Sequence, residues 1–121
     1  MTVLDWIGLA LVGGVGAVLR YLVDGWVQGR YRGEFPLGTF AVNVCGTFAL
    51  GVLTGAHLTG AALFIVGTGL IGAFTTFSTW MYETQRLLED GEVAVAGWNV
   101  AASIAAGLAA GGAGWALGAL A

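Results

Sequence analysis

Long apolar stretches separated by short polar segments cover almost the whole chain. Trp6 to Val23 is apolar apart from Arg20, Leu37 to Tyr82 contains no Asp, Glu, Lys or Arg, and Val93 to Ala121 contains none either. A transmembrane helix needs about 20 mostly apolar residues, so the middle stretch is long enough for two. The pattern therefore predicts four spans. They comprise residues 3–27, 37–56, 61–88 and 93–119.

Composition favours a lipid environment for these helices. Apolar residues make up 58% of the 121 residues and charged residues only 9%, whereas a soluble domain has about 25% charged residues. A chain this short and this uncharged cannot cover a water-facing surface. We expect an all-α membrane protein with one domain, residues 1–121, and four transmembrane helices. A single cysteine, Cys45, allows no internal disulfide, and nothing indicates nucleic-acid binding.

The distribution of arginine predicts an orientation in the cell membrane. With four spans, the loops after the first and third lie on one face, which carries Arg30, Arg32 and Arg86, with Arg20 nearby. The opposite face holds both termini and a turn around His57, and it has no Lys or Arg. The positive-inside rule then places the arginine face in the cytoplasm and both termini outside. We expect no cleaved signal peptide, because the first apolar stretch lacks a basic leader.

The third predicted span carries a helix-weakening segment, Gly72 to Thr79, which is expected to break the helix in mid-span. Glycines precede it and two β-branched threonines, Thr75 and Thr76, lie inside it. Backbone groups freed at this depth are tolerated only where protein or a water-filled cavity satisfies them. Freed carbonyls suit a cation, and the N-terminus of a resuming half-helix suits an anion. Alternatively, Ser and Thr hydroxyls only bond to the preceding turn and bend the helix.

Polar residues recur at helical spacing in the second and fourth spans. Thr39, Asn43 and Thr47 share one helical face, and so do Asn99 and Ser103. One interpretation is hydrogen bonding between helices, worth about 0.6 kcal/mol per bond. The other is the lining of a polar pathway, which the two stripes together with the broken span favour.

Aromatic and charged residues near the break suggest an ion path. Phe77 and Trp80 are neighbours on one helical face, and the positive ring edges of such a pair can stabilise a small anion without a full charge. Conduction needs sites that are weak enough for the ion to leave. Arg20 is either a snorkelling interfacial residue or a vestibule cation. Glu83 lies at the membrane boundary or controls entry.

Four motifs, one in each predicted span, together resemble those of the Fluc fluoride channels, also called CrcB proteins. The motifs are Gly13 to Ala17 with Arg20 and Tyr21, Pro36 to Thr39 continuing to Asn43 and Gly46, Gly72 to Ser78 continuing to Thr79 and Glu83, and Asn99 with Ser103 and Gly107. The resemblance covers nearly the whole chain in the family's order. It implies a passive channel that exports toxic fluoride.

The resemblance also implies an assembly and a set of sites. Fluc channels are antiparallel, dual-topology dimers with two fluoride pathways and a structural sodium ion at the dimer interface. The implied pathway residues are Asn43, Phe77 and Ser103, with Thr39, Ser78 and Thr79 around them. The implied sodium ligands are the backbone carbonyls of Gly72 and Thr75. The chain departs from the family at Trp80, where a second Phe is usual.

The one-sided arginine distribution leaves the partner open. Opposed copies of one chain must insert both ways, which calls for nearly balanced Lys and Arg. The imbalance here leads to the hypothesis of a fixed orientation and a paralogous partner inserted the other way, as an alternative to a homodimer.

Two other functional classes compete with the channel. A small multidrug exporter also has four short spans, but it would need a buried carboxylate in span one, where only Asp5 and Asp24 are available at the ends. A non-conducting assembly subunit would leave the polar stripes and the break without a role. An enzyme is not expected, because no nucleophile–base pair or metal-ligand cluster is visible.

Overall fold

Four helical spans make up the computed structural model, which describes residues 1–121. Helix α1 comprises Val3–Arg30, α2 comprises Leu37–Gly55, the third span comprises Gly60–Glu89 and α6 comprises Val93–Gly118. All four are long and apolar enough to cross a membrane, which confirms the expectation of an all-helical protein with four transmembrane helices. Only 16 of the 121 residues are buried. Most apolar side chains therefore face outward, as lipid-facing side chains do.

The third span is not one continuous α-helix. It consists of α3 (Gly60–Leu63), a π-helix (Phe64–Ile71), α4 (Gly72–Phe74) and α5 (Ser78–Glu89). Between α4 and α5, residues 75–77 are non-helical and are called the break below. The predicted interruption is confirmed, and it is narrower than Gly72 to Thr79. The π-helix before it was not predicted.

The helix ends are held by local side-chain bonds. The Thr2 hydroxyl accepts the Asp5 N–H at 3.2 Å and the Asp5 carboxylate accepts the Thr2 N–H at 2.8 Å, so α1 starts with a capping box. At the other end of α1, the Gln28 side-chain carbonyl accepts the Gly38 N–H at 3.0 Å. That bond satisfies an otherwise free N–H in the first turn of α2 and ties the two helices together.

Helices α2 and α6 pack through glycines. A Cβ on Gly51 or Gly55 would collide with backbone carbonyl oxygens of α6, and a Cβ on Gly114 or Gly118 would collide with those of α2. Small residues let membrane helices approach closely, where packing replaces the missing hydrophobic drive. Gly107, by contrast, makes no such contact, because a Cβ added there would meet nothing within 4 Å.

Helix α1 supports the first half of the third span. A Cβ on Gly16 would collide with the Leu70 carbonyl, and one on Gly69 would contact Leu9. The π-helix and α4 therefore lie directly against α1. The break follows this supported segment and faces α2, which positions it between two fixed helices.

Candidate functional site

Asn43 on α2 binds the break from the side. Its amide nitrogen donates to the Thr76 carbonyl at 2.8 Å, and its amide oxygen accepts the Thr76 N–H at 2.8 Å. Backbone groups left unpaired inside a membrane would be costly. The Asn43 side chain therefore replaces the hydrogen bonds that Thr76 loses where the helix opens.

Thr76 also begins the helix that resumes after the break. Its hydroxyl accepts the Thr79 N–H at 3.1 Å, in the manner of an N-terminal cap, and its oxygen lies 3.4 Å from the Ser78 hydroxyl. The Thr75 hydroxyl instead donates back to the Ile71 carbonyl at 3.0 Å. The sequence left two alternatives, bonding of a hydroxyl to the preceding turn and opening of the helix. The two thus occur together.

Two carbonyls at the break are free of helical hydrogen bonds. In a continuous α-helix, the N–H of Thr76 would reach the Gly72 carbonyl and the N–H of Thr79 would reach the Thr75 carbonyl. Both N–H groups are used elsewhere, by the Asn43 amide oxygen and the Thr76 hydroxyl. Gly72 is exposed and Thr75 is partly exposed, so these carbonyls lie outside the protein core.

A cavity of about 440 Å³ lies between α2, the break and α6, and is called the larger groove below. Its lining includes polar and aromatic side chains: Asn43, Thr75, Phe77, Trp80 and Ser103. No charged residue lines it. The lining combines an amide, hydroxyls and aromatic rings, which together can offer hydrogen-bond donors and ring edges to a small ion.

Phe77 and Trp80 meet edge to face in this groove. Their ring centroids are 5.6 Å apart and their planes differ by 78°, which is the T-shaped arrangement that aromatic quadrupoles prefer. Phe77 is 70% exposed although it is a large apolar side chain in mid-span. The groove is therefore open on the side that carries Phe77.

A second cavity of about 220 Å³, the smaller groove, lies between α1, α2 and the break. Its polar lining comprises Arg20, Tyr21, Asp24, Thr39, Thr76 and Thr79. Thr76 is the polar residue that lines both grooves. Most of the predicted site residues thus divide into two sets on either side of the Asn43–Thr76 contact. Gly72, Ser78 and Glu83 line neither groove.

Glu83 belongs to a contact that the sequence did not reveal. The Thr39 hydroxyl donates to the Glu83 carboxylate, joining α2 to α5. Glu83 also lines a further cavity with Gln28, Arg86 and Asp90, residues that lie towards the arginine-bearing face. This position agrees with a residue near the membrane boundary.

Asn99 and Ser103, predicted as one polar stripe, have different surroundings. Asn99 is fully buried and its amide nitrogen donates to the Thr84 hydroxyl at 2.8 Å. The Trp80 indole N–H donates to the Asn99 backbone carbonyl at 3.1 Å. Ser103 instead lines the larger groove. The contacts of Thr76, Thr84 and Trp80 were missed, because they join residues of different spans and no local pattern signals them.

Comparison with known proteins gives a consistent result over most of the chain. The family model described as "CrcB-like protein, Camphor Resistance (CrcB)" matches residues 7–115. A Mycobacterium tuberculosis protein named "Fluoride-specific ion channel FluC 2" is 51% identical over 110 residues, which is 91% of this chain and 87% of that protein.

Relatives from two other organisms show the same pattern. A Streptomyces avermitilis protein named "Fluoride-specific ion channel FluC 1" is 49% identical over 111 residues, covering 88% of this chain and 90% of its own length. A Haloarcula marismortui protein named "Fluoride-specific ion channel FluC 2" is 47% identical over 103 residues, covering 85% and 84%.

Proposed function

The chain belongs to the CrcB family, and we propose that it is a fluoride-selective ion channel through which fluoride leaves the cell passively. The chain is an ion channel and not an enzyme. The relatives whose names state their function are likewise named as ion channels. The observation that carries the proposal is the uncharged, donor-lined groove beside the break. No carboxylate lies in the middle of α1, so the exporter alternative gains no support.

Fluoride is strongly hydrated, so a pathway must replace its water with donors. Asn43 uses one amide hydrogen on the Thr76 carbonyl and keeps the second, because a side-chain amide has two. Ser103 adds a hydroxyl, and Phe77 and Trp80 add positive ring edges. None of these groups carries a full positive charge, so the ion is stabilised without being trapped.

The smaller groove supplies the entrance in this proposal. Arg20 lies there beside the Thr39 and Thr79 side chains. A cation at the mouth of a path raises the local concentration of anions. Ser78, exposed next to Thr76, and Glu83, bonded to Thr39, lie around this entrance and not in the larger groove.

We also propose a structural sodium ion at the two free carbonyls. Carbonyl oxygens are the ligands that replace an alkali ion's hydration shell in membrane proteins, and the Gly72 and Thr75 carbonyls lack helical hydrogen bonds. The chain has no cluster of three His, Cys, Asp or Glu residues, so a site built from backbone oxygen suits it. When bound, the ion would supply a fixed positive charge beside the break.

A second subunit in the opposite orientation would close the larger groove. Phe77 is exposed on the open side of that groove, in mid-span. The arginines lie on one face, which supports a fixed orientation with cytoplasmic arginines and extracellular termini. Relatives named FluC 1 and FluC 2 both match the chain, which agrees with pairing between two paralogues.

Efflux from proteoliposomes tests the function. We expect passive fluoride efflux and no measurable chloride efflux, from the chain alone or with its paralogue. A well-folded assembly that conducts no fluoride under either condition would refute the channel.

Labelling of both termini in cells that express this chain alone tests the orientation. Labels on both sides of the membrane together with an active assembly would exclude the fixed-orientation heterodimer.

A further inference from the structure

The Ser103 hydroxyl is unusual among the hydroxyls of the spans. A Ser or Thr in a helix commonly donates its hydroxyl to the carbonyl four residues earlier. Four threonines of this chain do so, at distances from 2.7 to 3.0 Å: Thr47, Thr54, Thr75 and Thr84. The Ser103 hydroxyl is buried and has no hydrogen-bond partner at all. Its would-be acceptor is the Asn99 backbone carbonyl.

The Asn99 carbonyl is already saturated. A carbonyl oxygen has two lone pairs. In the middle of α6, one accepts the Ser103 backbone N–H by the helical pattern. The other accepts the Trp80 indole N–H at 3.1 Å. No lone pair remains for the Ser103 hydroxyl.

The contacts around Trp80 fix this arrangement. The Asn99 side chain donates to the Thr84 hydroxyl at 2.8 Å, and that hydroxyl donates to the Trp80 carbonyl at 2.8 Å. Asn99 is 0% exposed, so water does not compete for these bonds. Helices α5 and α6 are thereby held at the level of Trp80, and the indole N–H stays on the Asn99 carbonyl.

We propose that Trp80 is a positioning residue for Ser103: its indole N–H occupies the Asn99 carbonyl and so keeps the Ser103 hydroxyl free to donate to an ion in the larger groove. The inference rests on the proposed function for the identity of that ion. A phenylalanine at this position would keep the ring and lose the donor. The Ser103 hydroxyl would then turn back to the Asn99 carbonyl and be lost to the groove.

A double-mutant cycle of thermal stability in detergent tests the hydrogen-bond competition without using transport. We expect Ser103→Ala alone to leave the midpoint of thermal unfolding unchanged or to raise it slightly, because the substitution removes an unpartnered buried hydroxyl. After Trp80→Phe, the same change should lower the midpoint by about 2–4 °C, because it now removes a formed hydrogen bond. Additive effects of the two substitutions would overturn the proposal.

The matched control is Trp98→Phe, since Trp98 lies on α6, the helix that carries Ser103, but is 67% exposed and is not bonded to the Asn99 carbonyl. In that background, Ser103→Ala should behave as it does in the unmodified chain. If the effect of Ser103→Ala changed as much after Trp98→Phe as after Trp80→Phe, the cause would be tryptophan removal in general. That outcome would contradict the specific role of Trp80.

Fluoride efflux gives the functional half of the cycle. Ser103→Ala should slow efflux about 3- to 10-fold in the unmodified chain, the range expected from one hydrogen bond. In the Trp80→Phe background it should have no further effect. If the unmodified channel conducts and the two substitutions act independently, the positioning role of Trp80 is refuted and the channel function is not. Absence of efflux from the unmodified assembly would refute the channel, while the stability cycle still decides the hydrogen-bond competition.

Discussion

Asn43 on α2 and Thr76 in the break bind each other through two 2.8 Å hydrogen bonds, one in each direction. The Asn43 side chain therefore satisfies the opened backbone at Thr76 and also forms part of the wall of the larger groove. The proposed pathway therefore couples permeation to structure at Asn43, and substitutions there should affect both.

Asn43→Asp is expected to slow fluoride efflux at least about 10-fold. The change places a negative charge in an anion path and sets a carboxylate oxygen against the Thr76 carbonyl, which loses its donor. Loss of such a bond also predicts a fall of about 1–3 kcal/mol in stability. Efflux from proteoliposomes and thermal unfolding measure the two effects.

Thr54→Val is a control for this substitution, because Thr54 is an exposed hydroxyl on the same helix that bonds only to its preceding turn. It should change neither efflux nor stability appreciably. Efflux from Asn43→Asp at the unmodified rate would remove Asn43 from the proposed pathway.

Thr76→Val should destabilise the protein by about 0.5–2 kcal/mol, the usual effect of losing a side-chain cap. The substitution replaces the hydroxyl that accepts the Thr79 N–H by a methyl group of similar size. Thr76→Ser keeps the acceptor and should retain most of the stability. Equal thermal midpoints for the two variants would show that the hydroxyl does not cap α5.

Thr39→Val is expected to weaken the contact between α2 and α5. Thr39 is buried and its hydroxyl donates to the Glu83 carboxylate, so the substitution leaves a half-buried acceptor without its partner. A loss of about 1 kcal/mol is expected, measured by thermal unfolding. Thr39→Ser should restore the bond. If Glu83→Ala, which removes the acceptor, and Thr39→Val had fully additive effects, the two side chains would not be coupled.

Gly114→Ala should be destabilising by about 1–3 kcal/mol, because its methyl group would meet the Phe48 backbone carbonyl, which cannot turn aside. Gly112→Ala, on the same helix with nothing within 4 Å, should be neutral or stabilising by up to about 1 kcal/mol. Unfolding midpoints measured in one detergent compare the pair. A stable Gly114→Ala variant would contradict close contact between α2 and α6.

The spans and the position of the break could be predicted from the sequence because both depend on local chemistry. Lipid requires uninterrupted apolar stretches, and weak helix formers such as Thr75 and Thr76 mark where the helix opens. The π-helix could not be predicted, since nothing in its glycine-containing apolar stretch distinguishes it from an α-helix.

The candidate site could be predicted only in part. The resemblance implied Asn43, Phe77 and Ser103, and the aromatic pair in the sequence added Trp80. The structure places all four around one groove. What each polar atom bonds to depends on contacts between spans that are far apart in sequence. The Asn43–Thr76 pair is therefore not visible in either span alone.

The π-helix Phe64–Ile71 has a consequence for the addition and loss of residues in this span. A π-helical ring closes over one residue more than an α-helical ring, so such a segment can hold an inserted residue without unravelling. Deletion of one residue there, with return to α-helical bonding, would therefore leave the following chain close to its present rotational phase. The same deletion in α2 or α6 would turn the following residues by about 100°, because an α-helix has 3.6 residues per turn. Residues 64–71 thus form a segment of the third span whose length can change while the break still faces α2.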